Sequence, residues 1–278
     1  MFIKSYSKIN LTLKTNFKAK NGLHEIQSFY CWINLFDKIK IKKNDNNKDK
    51  IIFNGPYAKL IKNRNNSVYK TLNKLRELKL ISNYYSVEVT KNIPVFSGLG
   101  GGTSNAAFIL KYLLKNKINK KLLNIFDVLI GSDFKLFFKK QGFLKDLRSI
   151  IQIKKTQRFY FTLIQPKIMC STKEIYSKVK KMSKKKAFNK NLTKSRNKFL
   201  KYLSKSTNDL QFVVENKYPI MKKILKDIQN VQGCCFSRMT GSGSVCYGLF
   251  IDQILAKKAL NKLKKKYPRF WISLAKTV

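Results

Sequence analysis

A glycine-rich segment between two apolar runs constrains the fold of this chain more than any other feature. Residues 94–107 read Pro-Val-Phe-Ser-Gly-Leu-Gly-Gly-Gly-Thr-Ser-Asn-Ala-Ala. They follow a strand predicted over 85–89 and open an apolar helix predicted over 103–114. Glycines let backbone N–H groups approach an anion closely, and the start of a helix adds a favourable partial charge. The segment therefore predicts a phosphate-binding loop at a strand-to-helix junction.

The loop matches neither of two common nucleotide-binding patterns. No lysine follows its last glycine, as GxxxxGK[ST] requires, and Thr103 stands where GxGxxG needs its final glycine. A flexible glycine turn that binds nothing is the alternative, because such turns are common. If the loop binds phosphate, a cation has to come from elsewhere in the chain. The hydroxyls of Thr103 and Ser104 can then donate hydrogen bonds or help to hold a metal ion.

The N-terminal segment offers such a cation. Residues 2–13 alternate apolar and polar side chains, which predicts a half-buried strand. Lys8 and Asn10 are two residues apart, so on a strand both side chains point to one face. A cation then stands beside a neutral hydrogen-bonding group. Ordinary solvent-exposed side chains are the alternative, since Lys and Asn are abundant in this chain.

Asp133 follows a predicted helix and a glycine turn, in a chain with only 14 acidic residues. An aspartate at such a place is often a turn residue or a helix cap. Its functional interpretation is a carboxylate that accepts a hydroxyl proton, paired with a nearby lysine.

A second glycine-serine segment lies between two apolar runs further along the chain. Residues 239–246 read Met-Thr-Gly-Ser-Gly-Ser-Val-Cys, with Gly241 and Ser242 near the centre. Such a segment forms either a hairpin turn or a second backbone contact to a ligand, and the turn is the commoner of the two.

Histidine and cysteine usage excludes several classes of site. His24 is the single histidine, so a zinc site built from several histidines is impossible, and a Ser-His-Asp triad would have to use this residue. The five cysteines contain no CxxC pair. Their odd number, together with the lack of an apolar leader, predicts a reducing cytoplasmic location.

The charge balance is strongly basic, with 59 Lys and Arg against 14 Asp and Glu and a net charge of +45. A field of this sign attracts phosphates, so a nucleic-acid-binding protein is one interpretation. The cations form no single tail or stripe, and Lys, Asn and Ile are abundant everywhere, which favours a compositional origin in an AT-rich genome. In either case an anionic substrate is attracted.

Strands and helices are interleaved along the chain, which predicts an α+β fold with two lobes. Strands are predicted over 2–13, 27–35, 37–43, 50–54, 85–89, 159–164 and 270–275, with a strand–turn–strand element over 234–250. Helices are predicted from Ser67 as N-cap to residue 80, and over 103–114, 121–130, 208–229 and 253–265, the fourth interrupted near Pro219. The polar stretch 178–205 is interpreted as a mobile insertion or loosely packed helices.

Taken together, these segments resemble the GHMP small-molecule kinase superfamily. The order is the same: an N-terminal strand with Lys-Ile-Asn-Leu, the glycine-rich segment and a later Gly-Ser-Gly segment. Within the superfamily, the chain is most similar to the kinases that act on cytidine-diphosphate-linked methylerythritol. That similarity rests on residues 7–11, 22–28, 93–107, 131–133, 208–210 and 239–246, so it covers nearly the whole chain.

The resemblance implies a two-lobed GHMP kinase fold with the active site in a cleft. The first lobe is expected to resemble the second domain of ribosomal protein S5, and the second lobe an α/β-plait. We expect an N-terminal ATP-binding domain over 1–155 and a C-terminal domain over 156–278.

The resemblance also implies ATP, Mg²⁺ and a set of site residues. Asp133 is the implied catalytic base, and Lys8 is implied to stabilise the hydroxyl and the migrating phosphoryl group. The implied ATP contacts are Pro94, Ser97, Gly98, Leu99, Gly100, Gly101, Gly102, Thr103 and Ser104, with Asn66 and Lys91 around the adenine. The implied substrate contacts are Asn10, His24, Tyr176, Gly241 and Ser242, where His24 bonds the cytosine edge and Tyr176 stacks on the base. Mg²⁺ is expected through the ATP phosphates, with Ser104 as a candidate ligand. The implied partner is a small molecule, with no specific nucleic acid and no membrane.

Three positions depart from the pattern of these kinases. Leu23 stands where an aromatic residue commonly stacks on cytosine, and Lys135 stands where a proline commonly follows the catalytic aspartate. The stretch 146–149 reads Asp-Leu-Arg-Ser in place of a Gly-x-Gly-Glu segment. These departures leave two alternatives open: another GHMP kinase, for homoserine, mevalonate or a sugar, and an RNA-binding protein.

Overall fold

The structure is a computed structural model that describes residues 2–18, 24–61, 65–147, 149–180 and 182–278. The chain divides into two units. Unit 1 comprises Met1–Ser7, Leu35–Val95 and Gly100–Lys139, and unit 2 comprises Lys8–Asn34, Phe96–Leu99 and Lys140–Val278. The glycine-rich segment is therefore shared, with Phe96–Leu99 in unit 2 and the residues from Gly100 onward in unit 1.

The described residues form a mixed α+β structure, as the sequence predicts. Its strands are β1 (Ile3–Asn10), β2 (Lys14–Lys18), β3 (His24–Asn44), β4 (Lys50–Asn54), β5 (Tyr84–Thr90), β6 (Gln141–Asp146), β7 (Ser149–Gln152), β8 (Tyr160–Gln165), β9 (Phe236–Met239), β10 (Cys246–Phe250) and β11 (Trp271–Lys276). Its α-helices are α1 (Ser67–Glu77), α2 (Gly101–Leu113), α3 (Lys120–Ile130), α4 (Thr172–Ser177), α5 (Arg196–Lys205), α6 (Asp209–Lys217), α7 (Ile220–Gln229) and α8 (Gln253–Lys266). Short 3-10 helices span Ala58–Leu60, Phe134–Phe138 and Lys190–Thr193. None of the described helices is long and apolar enough to cross a membrane.

Unit 1 is built around strand β5. The second part of β3 pairs with β5 in antiparallel fashion, and β4 pairs with β5 in parallel. Along β5, buried residues alternate with half-buried ones, as expected for a strand with one face on the core. Helices α1 and α2 cover that face. The side chains that share this core are Ile39, Val68, Leu72, Val87, Val89 and Ile109.

Unit 2 contains the first part of β3 and a separate sheet. The first part of β3 pairs in antiparallel fashion with β2 and β6, and β6 pairs with β7. The separate sheet has four antiparallel strands in the order β11-β8-β10-β9. Helices α6 and α7 pack on it. Their shared core contains Ile164, Leu210, Val214, Met221, Ile224, Ile228, Met239 and Cys246.

Strand β3 corrects one prediction. The sequence predicts two strands, over 27–35 and 37–43, whereas the structure has a single strand of 21 residues. Residues 26–33 are all buried, so the alternation of a half-exposed strand is absent there and returns only after residue 37. The burial pattern changes from continuous to alternating within β3, and in the sequence alone this change resembles a boundary between two strands. Strands β2, β6 and β7 and helix α4 were also not predicted.

The start of α1 corrects a second prediction. The N-cap is Asn66 and not Ser67, because the Asn66 side chain accepts the N–H of Tyr69 at 2.9 Å. The helix ends at Glu77, earlier than predicted, and Lys79 follows with φ +55°.

The lysine-rich stretch 178–205 is partly packed. Its last ten residues form α5, with Phe199 and Leu203 fully buried. Before α5, the Ser183 hydroxyl donates to Asp209 at 2.7 Å. The alternative of a mobile insertion is therefore wrong for α5, because its apolar side chains lie in the core of unit 2.

A buried arginine ties β9 to two other parts of unit 2. Arg238 is 4% exposed, and its guanidinium donates to the carbonyl oxygens of Leu11, Leu203 and Ser206. Leu203 and Ser206 lie at the carboxyl end of α5, where unpaired carbonyls and the helix dipole favour a cation. Arg238 thus holds α5 and the segment after β1 against the sheet.

We expect Arg238→Met to lower the free energy of unfolding by about 2–4 kcal/mol, because three carbonyl groups lose a charged donor inside the protein. Arg196→Met is the control, since Arg196 is exposed and makes one bond to the Ile251 carbonyl at 3.0 Å. The control should stay within about 0.5 kcal/mol of the parent chain in urea denaturation. Equal losses in the two variants would contradict the role given to Arg238.

Candidate active site

Two glycine-containing loops of unit 2 approach each other closely. Gly98 has φ +72°, and a Cβ placed on it would lie 2.2 Å from the carbonyl oxygen of Thr240. Gly241 has φ +55°, and its Cβ would lie 3.0 Å from the carbonyl oxygen of Gly98. Both positions require glycine, because no side chain fits between the two backbones and other residues rarely adopt these angles.

Backbone hydrogen bonds hold the two loops together. The Ser244 N–H donates to the Phe96 carbonyl at 3.1 Å, and the Val245 N–H donates to the Ser97 carbonyl at 3.2 Å. The segment after β9 therefore connects β9 to β10 and also supports the glycine-rich loop. The turn between two strands is confirmed, whereas the contact of this segment with a ligand stays a prediction.

Lys8 supplies a cation at this loop. Its side chain is 1% exposed, and its ammonium donates to the Gly98 carbonyl at 2.9 Å and to Oδ1 of Asn10. The Lys8 backbone N–H donates to the Leu99 carbonyl at 3.0 Å. The alternative of a solvent-exposed lysine is wrong, because β1 delivers the ammonium to the segment that lacks a cation of its own.

Asn10 is held in one orientation beside Lys8. Its amide nitrogen donates to the Ser28 hydroxyl at 2.8 Å, and its backbone N–H donates to the Thr240 hydroxyl at 3.0 Å. Asn10 is 1% exposed, as expected for a polar group whose hydrogen bonds are satisfied inside the protein. Lys8 and Asn10 therefore share a face of β1, as their spacing predicts.

Asn208 is a residue of this region to which the sequence assigned no role. Its side-chain nitrogen donates to the carbonyl oxygens of Met239 and Gly241, both at 2.8 Å, while its Oδ1 caps α6 at the Leu210 N–H. Asn208 is 4% exposed. The Asn-Asp-Leu block at 208–210 was the available signal, and its effect is to fix the loop that faces Gly98.

A second group of predicted substrate residues lies together in unit 2. The rings of His24 and Tyr176 are stacked, with centroids 5.6 Å apart and planes 30° apart. Both side chains are half-buried. The hydroxyls of Ser242 and Thr172, on α4 like Tyr176, are hydrogen-bonded at 2.9 Å. Leu23, which precedes His24, lies outside the described residues.

In unit 1, the rest of the glycine-rich segment begins α2. Gly100 is the N-cap with φ +74°, and Gly101, Gly102 and Thr103 form the first turn, whose N–H groups have no acceptor within the helix. A Cβ on Gly102 would meet only the Ser67 hydroxyl, at 3.5 Å. The first turns of α1 and α2 thus lie side by side, and two helix N-termini of this kind favour an anion.

The Ser104 hydroxyl points into the protein and not toward a metal ion at the start of α2. Its hydroxyl donates to the Tyr6 carbonyl at 2.6 Å and is hydrogen-bonded to the Ser5 hydroxyl at 2.7 Å. The residue is 0% exposed. These contacts anchor α2 to β1, and they do not suit the metal-ligand role that Ser104 was a candidate for.

Two residues predicted around adenine have structural partners in unit 1. Asn66 caps α1. Lys91 is 2% exposed and forms an ion pair with Asp37, which also accepts the N–H groups of Asn92 and Ile93 at 2.8 and 2.9 Å. The ammonium of Lys91 lies 3.4 Å from the place a Cβ of Gly101 would occupy. Lys91 therefore holds the turn beside the start of α2, and its contact with ATP stays a prediction.

Asp133 follows the end of α3 in unit 1. Gly131 ends that helix with φ +139°, and Asp133 is the N-cap of the 3-10 helix Phe134–Phe138. Its carboxylate is half-buried and makes no capping hydrogen bond to that helix. Phe134, Leu136 and Phe137 are fully buried and fix the turn. The structure thus presents a carboxylate on a rigid support, which suits proton acceptance.

The models of two protein families match the chain. The family described as GHMP kinases N terminal domain matches residues 66–132, and the family described as GHMP kinases C terminal matches residues 185–269. A solved 4-(cytidine 5'-diphospho)-2C-methyl-D-erythritol kinase superimposes with a TM-score of 0.76 at 21% identity, covering 99% of both chains. A homoserine kinase from Cytophaga hutchinsonii gives a TM-score of 0.71 at 17% identity, covering 99% of this chain and 95% of that one. The expected GHMP kinase fold is confirmed.

Curated relatives extend the similarity to the whole length. A protein of Pelagibacter ubique named 4-diphosphocytidyl-2-C-methyl-D-erythritol kinase is 36% identical, over 99% of this chain and 98% of the relative. A protein of the same name from Wolbachia pipientis is 31% identical, over 97% of this chain and 96% of the relative. On this full-length similarity, with both GHMP kinase domains matched, the chain belongs to the 4-diphosphocytidyl-2-C-methyl-D-erythritol kinase family of the GHMP kinases.

Proposed function

We propose that the protein is an ATP-dependent kinase that phosphorylates the 2-hydroxyl of 4-diphosphocytidyl-2-C-methyl-D-erythritol, a step of the non-mevalonate route to isoprenoid precursors. Relatives with this name cover nearly the whole chain at 36% and 31% identity. The structural observation that carries phosphoryl transfer is the buried Lys8 ammonium, bonded to the Gly98 carbonyl of the glycine-rich loop. A kinase needs positive charge at this point, because its transition state spreads negative charge over the transferred group.

The glycine-rich segment is the proposed binding site for the ATP phosphates. The N–H groups of the first turn of α2 and the left-handed backbone at Gly98 and Gly100 suit a phosphate chain. Pro94, Ser97 and Leu99 complete the segment, while Asn66 and Lys91 stay predicted contacts.

Mg²⁺ is proposed to arrive with ATP. The described residues include no group of three or more His, Cys, Asp or Glu side chains that could hold a metal ion. We therefore propose that phosphate oxygens and water would supply most of the Mg²⁺ ligands. The Thr103 hydroxyl is the candidate protein ligand. Mg²⁺ in that position supplies charge neutralisation for the transferred phosphoryl group.

Two residues are proposed to act on the reacting groups. Asp133 accepts the proton of the 2-hydroxyl as its oxygen attacks the γ-phosphorus, and the bond from that phosphorus to the bridging oxygen breaks to release ADP. Lys8 stabilises the negative charge on the attacking oxygen and on the migrating group. Asn10, which orients the Lys8 ammonium, is proposed to hold the methylerythritol part.

The cytidine end of the substrate is proposed to bind at His24 and Tyr176. Their stacked rings offer one aromatic face and one pair of imidazole nitrogens, which suits a pyrimidine base. Ser242, bonded to Thr172 on the same helix as Tyr176, adds a hydroxyl there, and Gly241 adds backbone. The domain boundary at residue 155 and the cytoplasmic location stay predictions.

Substrate choice gives the first test. Purified protein with Mg-ATP should release ADP in the presence of 4-diphosphocytidyl-2-C-methyl-D-erythritol, and not with free methylerythritol, homoserine or mevalonate. Coupled ADP detection measures this. ADP release with homoserine or mevalonate alone would assign the chain to another GHMP kinase activity.

Asp133→Asn tests the proposed base. The neutral amide cannot accept the hydroxyl proton, so kcat should fall by about 10²- to 10⁴-fold while the Kd for ATP stays within about twofold. Turnover and nucleotide binding by calorimetry are the measurements. Unchanged turnover in this variant would refute the mechanism.

Tyr176→Ala tests the cytidine subsite. Loss of the ring should raise KM for the cytidine substrate by about fivefold or more, since one aromatic contact contributes about 1 kcal/mol or more, and KM for ATP should not change. Tyr176→Phe is the matched control, because it keeps the stacking face. The subsite is wrongly placed if KM is the same in the alanine and phenylalanine variants.

A further inference from the structure

The turn that carries Asp133 has an unusual cap. Asp133 occupies the N-cap position of the 3-10 helix, where an aspartate commonly accepts backbone N–H groups of the first turn. Its carboxylate makes no capping hydrogen bond to the helix. The Phe134 and Leu136 N–H groups donate to the Gly131 and Asp133 carbonyls at 2.9 and 3.1 Å, so the Lys135 N–H needs an acceptor from another group.

Asp127, on the last turns of α3, is that group. Its Oδ2 lies 3.3 Å from the ammonium of Lys135, which is the second residue of the 3-10 helix. Burial raises the pKa of the Asp127 carboxyl, and hydrogen bonds from both the side chain and the backbone N–H of Lys135 offset part of that increase. The Asp127 carboxylate thus binds the start of the 3-10 helix through both the backbone N–H and the ammonium of Lys135.

The Asp127–Lys135 pair is largely enclosed. The two side chains are 13% and 10% exposed, and Oδ1 of Asp127 is buried without a hydrogen-bond partner among the described residues. Burial is the largest influence on this carboxyl and raises its pKa, Lys135 lowers it, and the charge of Asp133 raises it slightly, so that the resulting pKa is about 6. A chain with a proline at 135 would have no N–H to donate at that position.

Few other charges act on Asp127. Helix α1 also packs against α3, and its Lys74 and Arg76 are held by Glu77 and Asp49 respectively. The charged groups that shift the pKa of Asp127 are Lys135 and Asp133. The protonation of this carboxyl is therefore set within the segment from α3 to the 3-10 helix.

We infer that Asp127 and Lys135 are positioning residues: the Asp127 carboxylate caps the 3-10 helix through Lys135, so the Asp133 carboxylate makes no capping bond and keeps the orientation in which it meets the acceptor hydroxyl. This inference rests on the proposed function, in which Asp133 takes the hydroxyl proton. When Asp127 is protonated or replaced, the Lys135 N–H loses its charged acceptor, and Asp133, which occupies the N-cap position, can cap the helix in its place.

The pH dependence of kcat tests the pair, with 4-diphosphocytidyl-2-C-methyl-D-erythritol and saturating Mg-ATP. The parent enzyme should lose activity below about pH 6, where Asp127 becomes protonated. Asp127→Asn should show about tenfold lower kcat at pH 8, no decline centred near pH 6 and an unchanged KM for ATP. Lys135→Met should move the decline to higher pH, because the cation that lowers the pKa of Asp127 is gone.

Stability measurements separate this role from a merely structural one. The folded state raises the pKa of Asp127, so it favours the neutral form, and this contribution to stability is lost as pH rises through about 6. Asp127→Asn should therefore melt at the same temperature as the parent at pH 8, or higher, while being less active. Lys121→Met, an exposed lysine on α3, is the control and should keep the parent profile.

Two outcomes would overturn the inference. Parent-like kcat and an unchanged acid decline in Asp127→Asn would show that the pair does not act on Asp133. An activity loss that merely follows a lower melting temperature would show a structural role. Full activity in Asp133→Asn, by contrast, would refute the proposed base itself, so failure of the pair and failure of the mechanism are distinguishable.

Discussion

The close approach of the Gly98 backbone to the Thr240 carbonyl is the constraint on which the loop region of unit 2 depends. With 2.2 Å between that oxygen and the place of a Cβ, the two loops can meet only as bare backbone. Because they meet, the Gly98 carbonyl faces the Lys8 ammonium, and Asn208 reaches the carbonyls of the opposing loop. A buried ammonium is costly unless oriented dipoles replace its water, and the loop supplies them. The close contact of the two loops thus places the carbonyl dipole that stabilises the buried Lys8 ammonium.

A few buried or half-buried carboxylates bind cations and backbone N–H groups at important places in this basic chain. The chain has 59 cationic and 14 acidic residues, so each carboxylate could pair with several cations, and local geometry decides which one it binds. Asp37 binds Lys91 beside the start of α2, and Asp127 binds Lys135 beside Asp133. Asp209 joins Lys14, the Thr15 N–H and Ser183. The remaining lysines produce a positive field that attracts an anionic substrate and weakens as salt increases.

Features with a local signal could be predicted from the sequence. Strand β4 was expected over residues 50–54 and spans Lys50–Asn54, and the helix break near Pro219 separates α6 from α7. Short elements depend on a partner and were missed: β7 has four residues and forms only by pairing with β6. The same distinction holds within the candidate site. Lys8 and Asn10 could be placed on one face of β1 from their spacing, whereas the Asn-Asp-Leu block at 208–210 gave no indication of which loop Asn208 would bind.

The sequence by itself determined the glycine-rich loop, the strand that carries Lys8 and the membership of the GHMP kinases, because each depends on residue types at short fixed spacing. Only the tertiary structure decided which polar groups became partners. It turned the Ser104 hydroxyl inward to Tyr6, paired Lys91 with an aspartate 54 residues away, and stacked His24 on Tyr176. The physical reason is that a hydrogen bond or ion pair needs its atoms within a few ångströms, and in a chain rich in equivalent lysines and asparagines only the packed backbone selects which atoms meet.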